Sequence, residues 1–256
     1  MLLEVKEIGK AFGGLQVLQG VSLGIDDGRI VGLIGPNGSG KSTLFDIITG
    51  FQRADAGAVH YRGEAIERLR PQEIARRGLM RSFQMSEGGR RLTTVENLLA
   101  AAPGQDEDAL LVTLLKLPAV IRRERRNLAR AREVLALLGL SQVADELVGN
   151  LSGGQKKLVD LGRLFMAGPS LSLLDEPTAG VNPSLINVIL GALKRMNQEL
   201  GISLLIVEHN MEVIQEVCDY VYVLDAGRLI CEGTPAEVQA NDQVLDIYLG
   251  RARADV

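Results

Sequence analysis

The sequence predicts an α/β fold with a mostly parallel sheet, an N-terminal antiparallel β subdomain and an inserted helical subdomain. Short, continuously apolar segments indicate buried parallel strands, and they lie at 29–34, 171–174 and 202–207. Residues 16–25 instead alternate apolar and polar side chains, as a strand with one buried face does, and we predict its partner at 2–8. Residues 88–150 are helical in pattern and interrupt the strand–helix alternation, so we expect an inserted lobe there.

The first two strands meet at a predicted turn, Phe12-Gly13-Gly14. An aromatic side chain beside a turn can stack on a flat ligand such as adenine, and it can equally pack into a small antiparallel core. The residues alone leave both interpretations of Phe12 open.

A glycine-rich loop lies between the strand at 29–34 and a predicted helix at 42–48. It fits the pattern G-x-x-x-x-G-K-[ST], and its residues are Gly35, Pro36, Asn37, Gly38, Ser39, Gly40, Lys41 and Ser42. Such a loop points backbone N–H groups at one place, where the helix dipole is positive, and its glycines can curl round an anion. As in a P-loop NTPase core, Lys41 is predicted to reach the β- and γ-phosphates and the Ser42 hydroxyl to bind Mg²⁺.

The inserted lobe follows predicted strands at 58–61 and 78–84 and a helix at 71–77. Within the lobe, Thr94 is placed to cap a helix. The stretch from 110 to 140 is helical in pattern, interrupted at Pro118, and it carries Arg122, Arg123, Arg125, Arg126, Arg130 and Arg132. This charge is compatible with a solvated helix face and with a patch for lipid or a partner.

A second glycine-rich turn, Leu151-Ser152-Gly153-Gly154-Gln155, leads into apolar residues at helical spacing. It is a second candidate anion cradle, and the simpler interpretation is a helix cap by Ser152. Because only the first loop carries a lysine, we infer that the second cradle serves a nucleotide bound by another subunit.

Acidic residues follow the strand at 171–174, at the edge where parallel sheets place their ligands. Asp175 is predicted to hold the Mg²⁺ shell through water, and Glu176 to take a proton from, or orient, an attacking water. His209 follows the strand at 202–207, where a polar contact to the γ-phosphate is expected. Further on, Asn182 and Pro183 are predicted to begin a helix, and 220–224 and 228–230 to form a hairpin.

The composition excludes several classes of protein. Of 256 residues, 46% are hydrophobic, the net charge is −4, and only two cysteines and two histidines are present. This charge argues against nucleic acid as the main partner, and the cysteines favour a reducing compartment over a disulfide framework. No apolar run is long enough to span a bilayer, and the N-terminus lacks a signal-peptide pattern.

These motifs in this order resemble the ATP-binding subunits of ABC transporters. The most specific element is the stretch 151–155, the family signature, placed shortly before Asp175-Glu176. The runs Arg81-Ser82-Phe83-Gln84, Ala179-Gly180-Val181-Asn182-Pro183 and Glu208-His209-Asn210-Met211 are similar to those of branched-chain amino-acid importer ATPases.

The resemblance implies ATP and Mg²⁺ as cofactors and a head-to-tail dimer. It implies adenine stacking by Phe12 and adds Thr43 to the ATP-binding loop; Ser152, Gly153, Gly154 and Gln155 would bind ATP in trans. It also implies a Mg²⁺-sensing Gln84, a catalytic Glu176 and a switch His209, with Lys41 as the third catalytic residue.

The implied function is an ATP hydrolase that powers an importer of branched-chain or other amino acids, or of urea-like solutes. Its implied partners are permease subunits, which hold it at the cytoplasmic face of the inner membrane, and an extracytoplasmic solute-binding protein. An ATPase of a lipopolysaccharide-type exporter and a soluble, non-transport ABC ATPase are the alternatives. A P-loop kinase or GTPase is remote because the guanine-reading motif Asn-Lys-x-Asp is absent and the signature stretch 151–155 is present.

Overall fold

The computed structural model describes residues 1–82, 89–103 and 118–252, and side chains within them except at 118, 119 and 248–252. The chain divides into two compact units. The first comprises 1–81, 170–177 and 193–256, and the second comprises 82–169 and 178–192.

The described strands lie in the first unit. They are β1 (Leu3–Phe12), β2 (Leu15–Ile25), β3 (Ile30–Ile34), β4 (Ala56–Tyr61), β5 (Glu64–Ala65), β6 (Leu79–Arg81), β7 (Leu171–Asp175), β8 (Ser203–Val207), β9 (Tyr220–Asp225) and β10 (Arg228–Gly233). The described α-helices are α1 (Lys41–Ile48), α2 (Pro71–Arg76), α3 (Thr94–Ala100), α4 (Pro118–Leu137), α5 (Gly153–Ala167), α6 (Pro183–Leu200), α7 (Met211–Val217), α8 (Pro235–Gln239) and α9 (Asp242–Ala252). Among these residues, no helix has both the length and the apolar character needed to cross a bilayer.

The strands form an antiparallel sheet in the order β2-β1-β4-β5 and a second sheet in the order β10-β9-β3-β8-β7-β6. In the second sheet all pairs are parallel except β9 with β10, which form the predicted hairpin. Every residue of β3 and β8 is buried, which is why these strands are continuously apolar in sequence. The predicted α/β fold with an antiparallel N-terminal sheet is therefore confirmed.

The core of the first unit joins both sheets through α1. Leu44, Phe45 and Ile48 of this helix are fully buried and belong to one apolar cluster with side chains of β1 and β3. Burial of a leucine or phenylalanine side chain contributes about 1.5–3 kcal/mol, so this cluster holds α1 against both sheets. The strand predicted at 78–84 covers only 79–81, and positions 83 and 84 lie outside the described residues.

The second unit is helical in its described part. At Gly162 of α5, a Cβ would lie 3.0 Å from Leu138 Cδ1 and 3.3 Å from Leu98 Cδ1, so the missing side chain allows close packing. Arg130 of α4 donates a hydrogen bond to the Phe165 carbonyl at 2.8 Å. This arginine therefore has a structural contact. Four arginines of the same helix are exposed: Arg122, Arg125, Arg126 and Arg132.

The predicted cap of α3 is wrong by one residue. Thr93, not Thr94, is the N-cap: its hydroxyl accepts the Glu96 N–H at 3.3 Å, and the Glu96 carboxylate accepts the Thr93 N–H at 2.8 Å. Only Thr93 has a glutamate three residues later, as this reciprocal box requires. The Thr94 hydroxyl instead donates to the Glu146 carbonyl at 3.1 Å.

Asp160 on α5 is a mostly buried acid, and replacing it with asparagine is expected to stabilise the protein at neutral pH. Burial raises its pKa from 3.8 to about 6, although Arg163 lies 3.6 Å away and opposes the shift. Because the folded-state pKa lies above the unfolded one, stability falls as the pH rises from about 4 to about 6. Asp160→Asn should add about 2–3 kcal/mol at pH 7.5 and progressively less towards pH 4.

The free energy of unfolding, measured by urea denaturation at pH 4.5 and at pH 7.5, tests this expectation. The matched control is Asp145→Asn, at an exposed aspartate of the same unit. A stabilisation that is equal at pH 4.5 and pH 7.5 would contradict the assignment, because the burial penalty exists only for the ionised carboxylate.

Candidate functional site

The glycine-rich loop joins buried β3 to the N-terminus of α1, as predicted. Gly35 has φ +151°, and a Cβ there would lie 1.9 Å from the Leu224 carbonyl oxygen. Gly40 is the N-cap of α1 with φ +106°, and its Cβ would lie 2.7 Å from Leu18 Cδ2. Both positions therefore require glycine, for conformation and for space.

The side chain of Lys41 closes the loop on itself. Its Nζ donates to the carbonyls of Gly35 and Pro36, each at 2.8 Å, and only 7% of the residue is exposed. The Ser39 hydroxyl is buried without a hydrogen-bond partner in the described part of the chain. A cation held in the curl of the loop, beside an unused hydroxyl and the first N–H groups of a helix, fits a bound phosphate.

Electrostatics link Lys41 to the acidic pair. Burial lowers the pKa of Lys41, and the carboxylates of Glu176 and Asp175 partly reverse that effect. The charges of Asp175 and Glu176 thus act on Lys41 in the folded chain, although more than 130 positions separate the lysine from the acids in the sequence.

Glu176 has an unusual backbone conformation. Its φ is +46°, a region that residues with side chains rarely adopt, and its N–H donates to the Val207 carbonyl at 2.9 Å. Strain of this kind is concentrated at functional sites. Its Oε1 lies 3.3 Å from Nδ1 of His209, and both side chains remain accessible, with exposed fractions of 38% and 52%.

The remaining predicted residues of the first unit are partly or largely exposed. Asn37 and Ser42 are exposed and Thr43 is half-buried, so each is open to a ligand. Phe12 ends β1 with 45% of its surface exposed, and the Lys10 ammonium lies 5.3 Å from its ring centroid. Exposure of this degree argues against Phe12 as a core residue. Gln84 lies outside the described residues.

Sequence reasoning missed Arg81. This residue ends β6, and its Nη2 donates to Asp175 Oδ2 at 2.9 Å, while Nη1 binds the Asp46 carboxylate of α1. In the sequence, Arg81 belongs only to the run 81–84 that carries the family resemblance, and its pairing with the two acids becomes visible once β6 lies beside β7.

The second glycine-rich turn lies in the second unit and is a complete helix cap. The Ser152 hydroxyl accepts the Gln155 N–H at 3.3 Å, and Gln155 Oε1 accepts the Ser152 N–H at 3.0 Å. A Cβ at Gly153 would meet nothing within 4 Å. The predicted cap by Ser152 is confirmed, and binding of an anion by 152–155 stays a prediction.

The oxygen donors near the loop suit Mg²⁺. The described residues contain no group of three or more His, Cys, Asp or Glu side chains that would hold a metal on their own. Mg²⁺ is typically bound by one or two carboxylates together with substrate phosphates and water, which the Ser42 hydroxyl and Asp175 fit.

Comparisons with known proteins agree with this geometry. Residues 18–179 match the family model described as ABC transporter, and 228–254 match that described as branched-chain amino acid ATP-binding cassette transporter. The high-affinity branched-chain amino acid transport ATP-binding protein BraF of Pseudomonas aeruginosa is 34% identical over 251 residues, covering 98% of each chain.

Two solved structures extend the likeness to the fold. The ADP conformation of MJ1267, an ATP-binding cassette of an ABC transporter, is 36% identical, with a TM-score of 0.82 over 97% of this chain and 98% of that one. A dimeric post-hydrolysis state of the cassette MJ0796, bound to ADP and Pi, is 25% identical, with a TM-score of 0.72 over 91% of this chain and 98% of that one. The chain thus belongs to the ABC transporter family and is a nucleotide-binding, ATP-hydrolysing cassette subunit.

Proposed function

We propose that this subunit powers the import of branched-chain amino acids or similar small solutes. The observation that carries the proposal is the likeness over 98% of the chain to a branched-chain amino acid transport ATP-binding protein, together with the family match at 228–254. The described chain is one ATP-binding domain in this proposal, with the helical subdomain inserted at about 88–150.

ATP occupies the glycine-rich loop in this proposal. The phosphates lie against the backbone of 35–43, where Lys41 leaves its loop carbonyls and binds the β- and γ-phosphates. Phe12 stacks on adenine, which its exposure at the end of β1 allows. Lys41 then supplies a charge-assisted hydrogen bond that a neutral side chain would not replace.

Hydrolysis depends on Glu176. Its carboxylate orients the attacking water and takes its proton as the water oxygen bonds to the γ-phosphorus and the bond to the β-phosphate oxygen breaks. His209, 3.3 Å from the same carboxylate, holds it in place and contacts the γ-phosphate. Lys41 and the loop N–H groups stabilise the charge on the transferred phosphoryl group, the main catalytic contribution in reactions of this type.

Ser42, Gln84 and Asp175 would hold Mg²⁺. When bound, the ion neutralises charge between the β- and γ-phosphates. Ser42 would contact it directly and Asp175 through water, in line with the preference of Mg²⁺ for oxygen ligands and retained waters.

The active form in this proposal is a head-to-tail dimer with a second copy or a paralogous subunit. Ser152, Gly153, Gly154 and Gln155 of one subunit bind the γ-phosphate held by the other. ATP binding closes the dimer and product release opens it. The dimeric cassette among the similar structures supports this arrangement.

Permease subunits would couple this cycle to transport across the membrane and hold the cassette at the cytoplasmic face of the membrane. An extracytoplasmic solute-binding protein would deliver the cargo. Nucleic acid is not a partner in this proposal, in keeping with the net charge of −4.

Purification of the tagged chain from gently solubilised membranes of its own source tests the transport assignment. Recovery of integral membrane subunits with an amino-acid-binding protein is expected, and vesicles reconstituted from them should take up labelled leucine only with ATP. A Lys41→Ala variant, purified in the same way, provides the control for ATP-independent uptake. Recovery of soluble partners alone would contradict the proposal.

A further inference from the structure

The Arg81 guanidinium lies between two carboxylates of different elements in the first unit. It binds Asp175 Oδ2 at 2.9 Å with one amino group and Asp46 with the other. The arginine side chain is 17% exposed, and those of Asp46 and Asp175 are 34% and 32% exposed. Because all three side chains are partly buried, water screens their charges less, so this pairing is stronger than an ion pair on the open surface.

Two further contacts fix the position of this guanidinium. Its Cζ lies 5.8 Å from the ring centroid of Phe45, a fully buried residue of α1. The Arg81 backbone is paired with Leu173 of β7, two residues before Asp175. Arg81 therefore connects the end of β7 to the helix that follows the phosphate-binding loop.

We propose that Arg81 is a positioning residue that holds the Asp175 carboxylate for Mg²⁺ by tying one of its oxygens to α1 through Asp46. The inference rests on the proposed role of Asp175 in holding the ion. Arginine suits this task because its planar fork can donate to two carboxylates at once, whereas a lysine ammonium is a single point charge. Partners that orient a metal ligand typically affect metal affinity about ten- to a hundredfold.

The test measures how much Mg²⁺ is needed for half-maximal binding of the fluorescent analogue TNP-ATP, without any turnover. Arg81→Met should raise this Mg²⁺ concentration about tenfold or more, and Arg81→Lys should recover part of the loss. The matched control is Arg77→Met in the same unit, where the arginine pairs with Glu64 at 3.3 Å. An unchanged or lowered Mg²⁺ requirement in Arg81→Met would overturn the inference.

Asp175→Asn separates this inference from the proposed function. If Asp175→Asn leaves the Mg²⁺ requirement unchanged, the metal role of Asp175 is wrong and Arg81 has nothing to position. If Asp175→Asn raises the requirement and Arg81→Met does not, only the Arg81 inference fails. The double variant should resemble Asp175→Asn alone, because Arg81 acts through that carboxylate.

Asp46→Ala keeps the inference testable if Arg81→Met does not fold. The change leaves the Asp46 carbonyl in place, which accepts the N–H groups of Phe51 and Gln52 at 2.8 and 3.0 Å. A smaller rise in the Mg²⁺ requirement is expected, since Arg81 would keep Asp175 but lose its anchor on α1. A value equal to that of the wild type would show that the anchor has no role in positioning.

Discussion

Glu176→Gln is expected to lower ATP turnover by about a hundred- to ten-thousandfold, the usual contribution of a general base. Glutamine has the same shape, so the strained backbone at φ +46° and the N–H bond to Val207 should remain. What is lost is the carboxylate that accepts the proton of water. ATP binding should stay near the wild-type value, and an ATP-bound dimer should accumulate.

Phosphate release, ATP affinity and size-exclusion chromatography together test this expectation. Glu199→Gln is the matched control, since this glutamate forms an exposed pair with Arg195 at 3.6 Å on α6. Turnover near the wild-type rate in Glu176→Gln would remove Glu176 from the mechanism, whether or not an ATP-bound dimer accumulates.

Lys41→Ala is expected to weaken ATP binding by about a hundredfold or more. Hydrogen bonds to charged groups contribute about 1.5–3 kcal/mol each. In the structure, the Lys41 ammonium donates to the Gly35 and Pro36 carbonyls. The phosphates would take these donors in the bound state. Alanine removes them, and it also removes the cation that offsets the phosphate charge.

Isothermal titration with ATP measures this loss, and circular dichroism checks that the fold is intact. The control is Lys6→Ala, a lysine on β1 that pairs with Glu4 at 2.9 Å on the surface. Near-normal ATP affinity in Lys41→Ala would place the phosphates elsewhere than in the glycine-rich loop.

Local features were largely predictable from the residues. The glycine-rich loop is contiguous and its spacing sets its geometry, so the helix predicted at 42–48 differs from α1 (Lys41–Ile48) by one residue. The caps by Ser152 and Asn182 follow from chemistry within three residues, and the structure contains both. Thr93 was missed because two threonines compete for one cap, and only the glutamate three positions on decides between them.

Contacts between distant parts of the chain were not predictable in the same way. The lack of room for a Cβ at Gly35 beside Leu224, the Glu176–His209 contact and the bridge from Arg81 to Asp46 and Asp175 each involve separate elements. The residues by themselves determined the strand–loop–helix unit, its chemistry and the family. Only the tertiary structure decided which side chains share the site, because the order β3-β8-β7-β6 places the ends of strands distant in sequence at one edge of a sheet.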